Sequence, residues 1–517
     1  MINESKLIDR AKAAYVNSLI AVIAQLINLI FSFVTRFFFI HELGREYLGL
    51  NGLFLNILNI LSFAELGIGA AITFSLYQPI HDQNHQDILA LMRLFRTVYR
   101  IIALIILVCG LILLPFLSNF IADKNLSTSV GNVYFAFLLA LLNIVVSYLL
   151  SYKRSFVIAA QLGYLDSVNR LSFNIVTQVF QIFFLLTLHS FYIYLFIQLI
   201  LTFLSNVRIT MIANKRFPYL KDLSKAGKVS KDVVDYLKKN VIGMVSAKFG
   251  GVVVNGTDNL ILSSFIGLSI VGLYSNYTLF LTGVSSILTQ GISAVTSSIG
   301  NLGSEAGSLG RQKKIFHEYQ YINNLVSAFG SFGLALFLPD VISLWAGKSY
   351  LLSALVTFLI IENFFITQLR QNVINVTNAY GLYWFERYKA IIEALSNLII
   401  SLILVVVLKF GIEGVLLGTI ASNIFVNSWW EPMIIFQNKL HGIWRKYTGN
   451  YLVMLLLGTF LLAVQIFSIN AHFDKVGVLE ILFKIICFVL SMIIIVMIMS
   501  WDARISPVKL IKERMGK

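Results

Sequence analysis

The fold class this sequence predicts is an all-α polytopic membrane protein. About fourteen transmembrane helices form two parallel-repeat six-helix lobes around a central cavity, with two more helices at the C-terminal end. Three observations predict it. The chain of 517 residues is 58% hydrophobic and only 13% charged, whereas an ordinary soluble domain is about 25% charged. Its apolar runs repeatedly exceed the ~20 residues that cross a bilayer core. Its first and second halves also align on a shift of 223 residues.

The apolar runs are fourteen, at 14–40, 47–77, 94–117, 130–157, 167–188, 191–212, 240–266, 269–302, 315–338, 350–378, 388–408, 412–437, 447–469 and 476–499. They lack strict alternation, which excludes a barrel and leaves helices. The opening MINESKLIDRAKAAY is polar and basic, and the span after it is far longer than a signal-peptide core, so no cleaved signal is expected. No myristoylation or prenylation motif is present. Cys109 and Cys487 each lie within a span and read as small apolar residues.

The net charge of +15 follows topology. With the N-terminus in the cytoplasm, cytoplasmic segments hold 30 of the 40 Lys and Arg residues. Outer loops hold five: Arg45, Lys124, Lys348, Lys409 and Lys475. Arg36, Arg208, Lys248, Arg370 and Lys484 lie within spans or at their edges. This asymmetry puts both termini in the cytoplasm and replaces a nucleic-acid reading of the charge. Arg208 and Lys484 read as residues that snorkel or pack near helix ends.

The 223-residue shift places span 1 on span 7 and span 2 on span 8 without a gap. LGREYLGL falls on IGLSIVGL, pairing Gly44 with Gly267 and Gly49 with Gly272; 17–76 and 240–299 share 11 identities in 60 positions. Six helices separate the two starts, so the repeat is parallel, with its axis along the membrane normal. The expected organisation is an N-terminal lobe (1–213), a basic cytoplasmic linker (214–239), a C-terminal lobe (240–440), and two added helices with a basic tail (441–517). The linker, bounded by Asn214 and Asn240, carries eight Lys/Arg and suits anionic lipid headgroups.

Helical spacing gathers polar residues into stripes on the repeat-related spans. Asn17, Gln25, Asn28, Ser32 and Arg36 share a face of span 1, and Asn51, Asn59, Ser62, Glu65, Gly69 and Thr73 a face of span 2. Lys248, Asn255 and Asn259 share a face of span 7, with Asp258 to one side; Ser286, Gln290, Ser293 and Ser297 share a face of span 8. Interhelical hydrogen bonding accounts for one or two such residues per helix. Stripes that run nearly end to end predict a hydrated cavity lined by spans 1, 2, 7 and 8. In SFAELGIGAAITFSLYQPI, Glu65 faces that cavity, and Gly67 and Gly69 ease a bend that opens or closes it. Its expected partners are Lys248, Lys153 or Arg154.

No GxSxG, HExxH, CxxC or P-loop occurs, and the seven His are scattered, so neither an enzyme nor a resident cofactor or metal is expected. His81 and His85 in HDQNH read as a solvated segment. Without a P-loop, active transport draws on a coupling ion, H+ or Na+, or on membrane potential.

YLGLNGLFLNILNILSFAELGIGAAITFSLYQPI resembles the first hairpin of polysaccharide flippases. RQNVINVTNAYGLYWFERYKAIIEALSNLIISLILV, followed by GIEGVLLGTIASN, resembles their later signature. These flippases share a superfamily with the multidrug and toxic-compound extruders and the lipid II flippases. The resemblance implies two six-helix lobes around a cavity. It also implies transfer of undecaprenyl-pyrophosphate-linked oligosaccharide between leaflets of a bacterial cell membrane, for capsule, O-antigen or exopolysaccharide, alongside a polymerase and export machinery. Lys248 and Arg36 then suit the pyrophosphate. Asn28, Gln25, Asn255, Asn259 and Gln290 suit sugar hydroxyls, while Glu65, Asp258, Gly67 and Gly69 serve coupling or gating.

Two other readings stay open. A cation-coupled multidrug extruder of the same fold needs acidic or aromatic sites, and this cavity mixes signs. A membrane polymerase or ligase needs a large outer loop, and the longest here, SNFIADKNLSTS, carries a single Lys.

Overall fold

Hydrocarbon offers a backbone no hydrogen-bond partner, so each crossing segment has to satisfy its own amides and carbonyls. The computed structural model describes residues 4–65, 75–76, 79–80, 82–121, 132–149, 151–160, 162–223, 227, 256–302, 309–380, 382–472 and 478–503. Among these residues the regular structure is helical throughout.

The α-helices are α1 (Glu4–Leu61), α2 (His85–Leu113), α3 (Val133–Leu149), α4 (Ser151–Ala159), α5 (Gly163–Leu188), α6 (Phe191–Arg216) and α7 (Leu268–Leu302). Then follow α8 (Leu309–Trp345), α9 (Ala354–Ala379), α10 (Tyr383–Leu402), α11 (Ile412–Ser422), α12 (Ser428–Asn438), α13 (Trp444–His472) and α14 (Val478–Ala503). They match the expected spans, with α1 holding the first two and α3 bending by 44° into α4. Span 7 is described only from residue 256. Among the described residues, eight helices are long and apolar enough to cross a membrane, or nine if the bent pair counts as one. Other helices carry a polar face. In α9, for example, Glu362, Gln368, Arg370 and Asn372 are all buried.

The chain forms two compact units, Met1–Gly272 and Leu273–Lys517. In the first, α1 packs on α5, α5 on α6, and α3 between α2 and α6. In the second, α9 packs on α8 and α11, α10 on α11, and α13 and α14 on α8. Burial inverts the rule for soluble proteins. On α2 the exposed residues include Leu104 and Ile112, at 59% and 60%. Asn323, Asn372, Asn427 and Ser331 are fully buried.

The first unit turns on two glycine pairs. Gly44 breaks α1 at φ 84°, and Gly267 ends a π-helical segment, Leu262–Ile266, at φ 131°. Only glycine takes such angles readily. A Cβ on Gly49 would overlap the carbonyl of Leu268, and a Cβ on Gly272 would overlap the carbonyl of Arg45. Leu268 is the 223-residue counterpart of Arg45, and Gly272 that of Gly49. The two turns therefore meet backbone to backbone through positions equivalent under the 223-residue shift.

The added helices are fastened by polar pairs. Lys484 on α14 is 2% exposed and lies 2.5 Å from both Asp340 of α8 and Glu480. Of the two expected behaviours, snorkelling or packing near a helix end, it packs: two carboxylates draw the ammonium inward. Gln465 of α13 donates to Ser491 of α14 at 2.7 Å. Arg208 does behave as a peripheral residue, exposed and 5.8 Å from the Phe173 ring.

Gly49→Ala and Gly272→Ala are each expected to destabilise the protein by about 1–3 kcal/mol, the usual cost of overpacking. Gly449→Ala, where a Cβ meets open space, is expected to be neutral or stabilising. Thermal unfolding of purified protein in detergent reads the difference, and equal midpoints for the three variants would refute the contact.

Candidate functional site

Each unit carries its own polar track. In the first, the α1 stripe packs largely against α5. The Asn28 side-chain oxygen accepts hydrogen bonds from Asn174 at 3.2 Å and Gln178 at 3.4 Å, and Thr35 donates to Gln178 at 3.3 Å. Ser32 donates to its own helix at the Asn28 carbonyl. Gln25 is exposed, and Arg36 is half-buried beside the Tyr194 phenol. Interhelical hydrogen bonding therefore takes up part of a stripe that spacing alone assigned to water.

Glu65 ends a short 3-10 turn, Ser62–Glu65, that tightens the chain after α1. Its carboxylate accepts a hydrogen bond from the Tyr148 hydroxyl of α3 at 3.2 Å. The Tyr148 ring stacks on Tyr99 of α2 with centroids 6.4 Å apart, and Tyr99 lies within reach of Ser155 and Arg154. Arg154 of α4 pairs with Asp166 of α5 at 2.7 Å, and Arg170 pairs with the same carboxylate at 2.9 Å. Glu65 is thus linked to Arg154, one of its expected partners, through two phenols. Asp258 is buried and Asn259 half-buried on the helical segment before Gly267. Gly67, Gly69, Lys248 and Asn255 lie outside the described residues, as does the side chain of Gln290.

The second unit holds the densest cluster of charge among the described residues. Arg370 of α9 forms a two-pronged pair with Glu431 of α12, at 3.0 and 2.5 Å, and also donates to Asn423. Lys389 of α10 lies 2.7 Å from Glu431 and 3.1 Å from Glu393. Asn427 donates to Glu393 at 2.6 Å and to Asn423 at 3.0 Å. Glu431, Arg370 and Lys389 are 1%, 7% and 7% exposed, and Glu386 is buried nearby. Asn423 and Asn427 bound a π-helical segment between α11 and α12; Asn423 meets the guanidinium, and Asn427 bridges Asn423 to Glu393. Two cations meet three carboxylates here. Carrying these charges out of water is costly unless they are paired, and at membrane depth such a network marks a functional candidate.

Another buried carboxyl group stands apart from this network. Glu362 of α9, 4% exposed, accepts from Thr459 of α13 at 2.6 Å, and no cation lies within salt-bridge distance of it among the described residues. Among those residues no three His, Cys, Asp or Glu side chains are placed to hold a metal.

Attention to the four repeat-related spans alone missed the second-unit network. Its signal is visible all the same. Asn423, Asn427 and Glu431 recur every four residues, and Glu386, Lys389 and Glu393 follow at three and four. Each set lies on one helix face.

No family model matches the chain, and no curated protein sequence matches it either. Solved structures do. A lipid II flippase, MurJ, in an inward closed conformation superimposes with a TM-score of 0.61 at 14% identity, covering 94% of this chain and 99% of its own. An inward-facing multidrug resistance MATE family transporter of the MOP superfamily gives 0.57 at 16% identity, covering 82% and 100%. A MATE transporter from Vibrio cholerae, VcmN, gives 0.55 at 15%, covering 84% and 98%. The chain has the fold these proteins share.

Glu431→Ala would leave Arg370 and Lys389 buried without their common carboxylate. It is expected to cost about 3–5 kcal/mol, read as a lower unfolding midpoint in detergent. Glu431→Gln keeps the shape and one acceptor and is expected to cost less. An unchanged midpoint for Glu431→Ala would mean that the network does not hold these helices together.

Proposed function

We propose that the protein is a flippase. In this reading it moves undecaprenyl-pyrophosphate-linked oligosaccharide repeat units from the inner to the outer leaflet of a bacterial cell membrane by alternating access. The surface polysaccharide built from them is capsule, O-antigen or exopolysaccharide. The observation that supports this best is coverage. The lipid II flippase matches 94% of this chain and the multidrug transporter 82%, although each is matched over nearly its whole length. The difference is about the size of 441–517, the segment that adds α13 and α14. The match of sequence stretches to polysaccharide flippases supports the same reading.

In this reading Lys248 and Arg36 attract the pyrophosphate. A lysine is a mobile point charge suited to an anion that has to be released again. Gln25, Asn255, Asn259 and Gln290 meet sugar hydroxyls, both donating and accepting, and Asn28, whose oxygen is engaged by α5, offers its amide N–H. Glu65, Asp258 and the glycines at 67 and 69 belong to gating or coupling, with H+, Na+ or the membrane potential as the driving force. Both termini lie in the cytoplasm, and a polymerase and export machinery take the product onward.

The second reading, a cation-coupled multidrug extruder, is favoured by the MATE-like matches and by buried carboxylates such as Glu362. The two readings part on substrate. Purified protein in liposomes, given lipid-linked oligosaccharide labelled in one leaflet, is expected to transfer it to the other, with and without an imposed proton or sodium gradient. Efflux of an organic cation without lipid transfer would overturn the flippase reading. Lys248→Ala is expected to abolish transfer while the protein still accumulates in the membrane, and Lys248→Arg to retain part of it. Normal transfer by Lys248→Ala would remove that residue from the site.

A further inference from the structure

The first unit ends, on the side that Lys and Arg counting assigns to the cytoplasm, in a basic cluster that the transport reading does not use. Arg96 and Arg100 stand one helical turn apart on α2, just before its apolar stretch from Ile101. Arg96 and Arg100 both lie within electrostatic reach of the Tyr152 phenol of α4. Next to Tyr152 on α4 is Lys153, 5% exposed and close enough to Arg96 to feel its charge. The lysine ammonium donates to the Asn214 side chain and, at 3.4 Å, to the Leu220 carbonyl. Both acceptors are neutral. Among the described residues, none of these three cations has a carboxylate partner. The neighbouring Arg154 and Arg170 differ, since both spend their charge on Asp166.

Like charges one turn apart on a helix repel, and among the described residues the buried ammonium meets only neutral acceptors. The cluster is nevertheless braced. Phe156 packs edge-on against Phe217 at 5.0 Å, and Tyr219 lies 4.3 Å from the His85 ring. This packing holds the 217–221 segment, with its Leu220 carbonyl, against α2 and α4. Arg100 sits where the polar start of α2 gives way to its apolar run from Ile101.

We propose that Arg96, Arg100 and Lys153 form a binding site for the phosphate of a membrane lipid at the cytoplasmic boundary of the first unit. The two arginines supply planar forked donors to the phosphate oxygens. Lys153 supplies buried positive potential behind them, and the Tyr152 phenol lies within reach of both guanidinium groups. The phosphate has two sources, an anionic phospholipid or the pyrophosphate of a polyprenyl lipid, and the site does not depend on the flippase reading.

The test uses the purified full chain and native mass spectrometry, with three probes: phosphatidylglycerol, phosphatidylcholine and farnesyl pyrophosphate. Removing both arginines, as Arg96→Gln with Arg100→Gln, is expected to weaken binding of an anionic probe by roughly 30-fold, at about one lipid-facing charge each. Arg311→Gln with Lys313→Gln removes two basic residues from another part of the chain and is expected to leave that binding unchanged. Loss confined to farnesyl pyrophosphate assigns the site to polyprenyl substrate, and loss that includes phosphatidylglycerol assigns it to bulk anionic lipid. Lys153→Gln, with its folding checked by thermal unfolding, is expected to weaken the same probe. Equal binding by wild type and the arginine variant, or an equal loss in the control variant, would overturn the proposal.

Discussion

Every peptide group that crosses the hydrocarbon has to find its hydrogen-bond partner inside the chain, and the rest of this structure works around that constraint. The helices run long, and α1 alone carries two spans. The regular α pattern is left at few places in the described residues, each with a local remedy. The 3-10 turn at Ser62–Glu65 and the π-helical segments at Leu262–Ile266, Ile403–Val407 and Asn423–Asn427 change the pitch without abandoning hydrogen bonding. Two breaks fall to glycine: Gly44 and Gly267 take angles that other residues avoid. There the freed backbone is pressed against backbone, since Gly49 and Gly272 each leave room for a carbonyl of the other turn.

The same solvent fixes where charge can go. The outer faces are apolar and exposed, so ionised groups retreat inward and have to meet one another. In the second unit this produces the Arg370, Lys389, Glu393 and Glu431 network, and between α8 and α14 the buried Lys484 with its two carboxylates. Desolvation makes these pairs poor sources of net stability, while removing one member is costly. They therefore specify which helix sits beside which more than they strengthen the lobe. The docking of α13 and α14 follows this logic: Thr459 to Glu362, Gln465 to Ser491 and Lys484 to Asp340 are each polar contacts with one permitted neighbour.

Polar groups inside the first unit are either taken up by helix packing or left exposed. Asn28 is spent on Asn174 and Gln178, whereas Gln25, one turn away, remains exposed. Glu65 is held by the Tyr148 hydroxyl, across from α3.

The sequence by itself determined the helical class, the two turns and their equivalence. Apolar length forces helices in lipid, and the spacing of Gly44 and Gly49 repeats at Gly267 and Gly272 because those positions tolerate no Cβ. It also determined which residues share a helix face, as with Asn423, Asn427 and Glu431, because helical pitch is local. Only the tertiary structure decided what each face meets. Asn28 turned to α5 and not to water alone, Lys484 turned inward to an aspartate 144 residues earlier in the chain, and Arg370 joined a glutamate two spans away. The physical reason is one of range. Pitch and turn geometry are set by neighbours within a few residues, whereas the pairing of buried polar groups is set by which helices lie side by side, and no single helix carries that information.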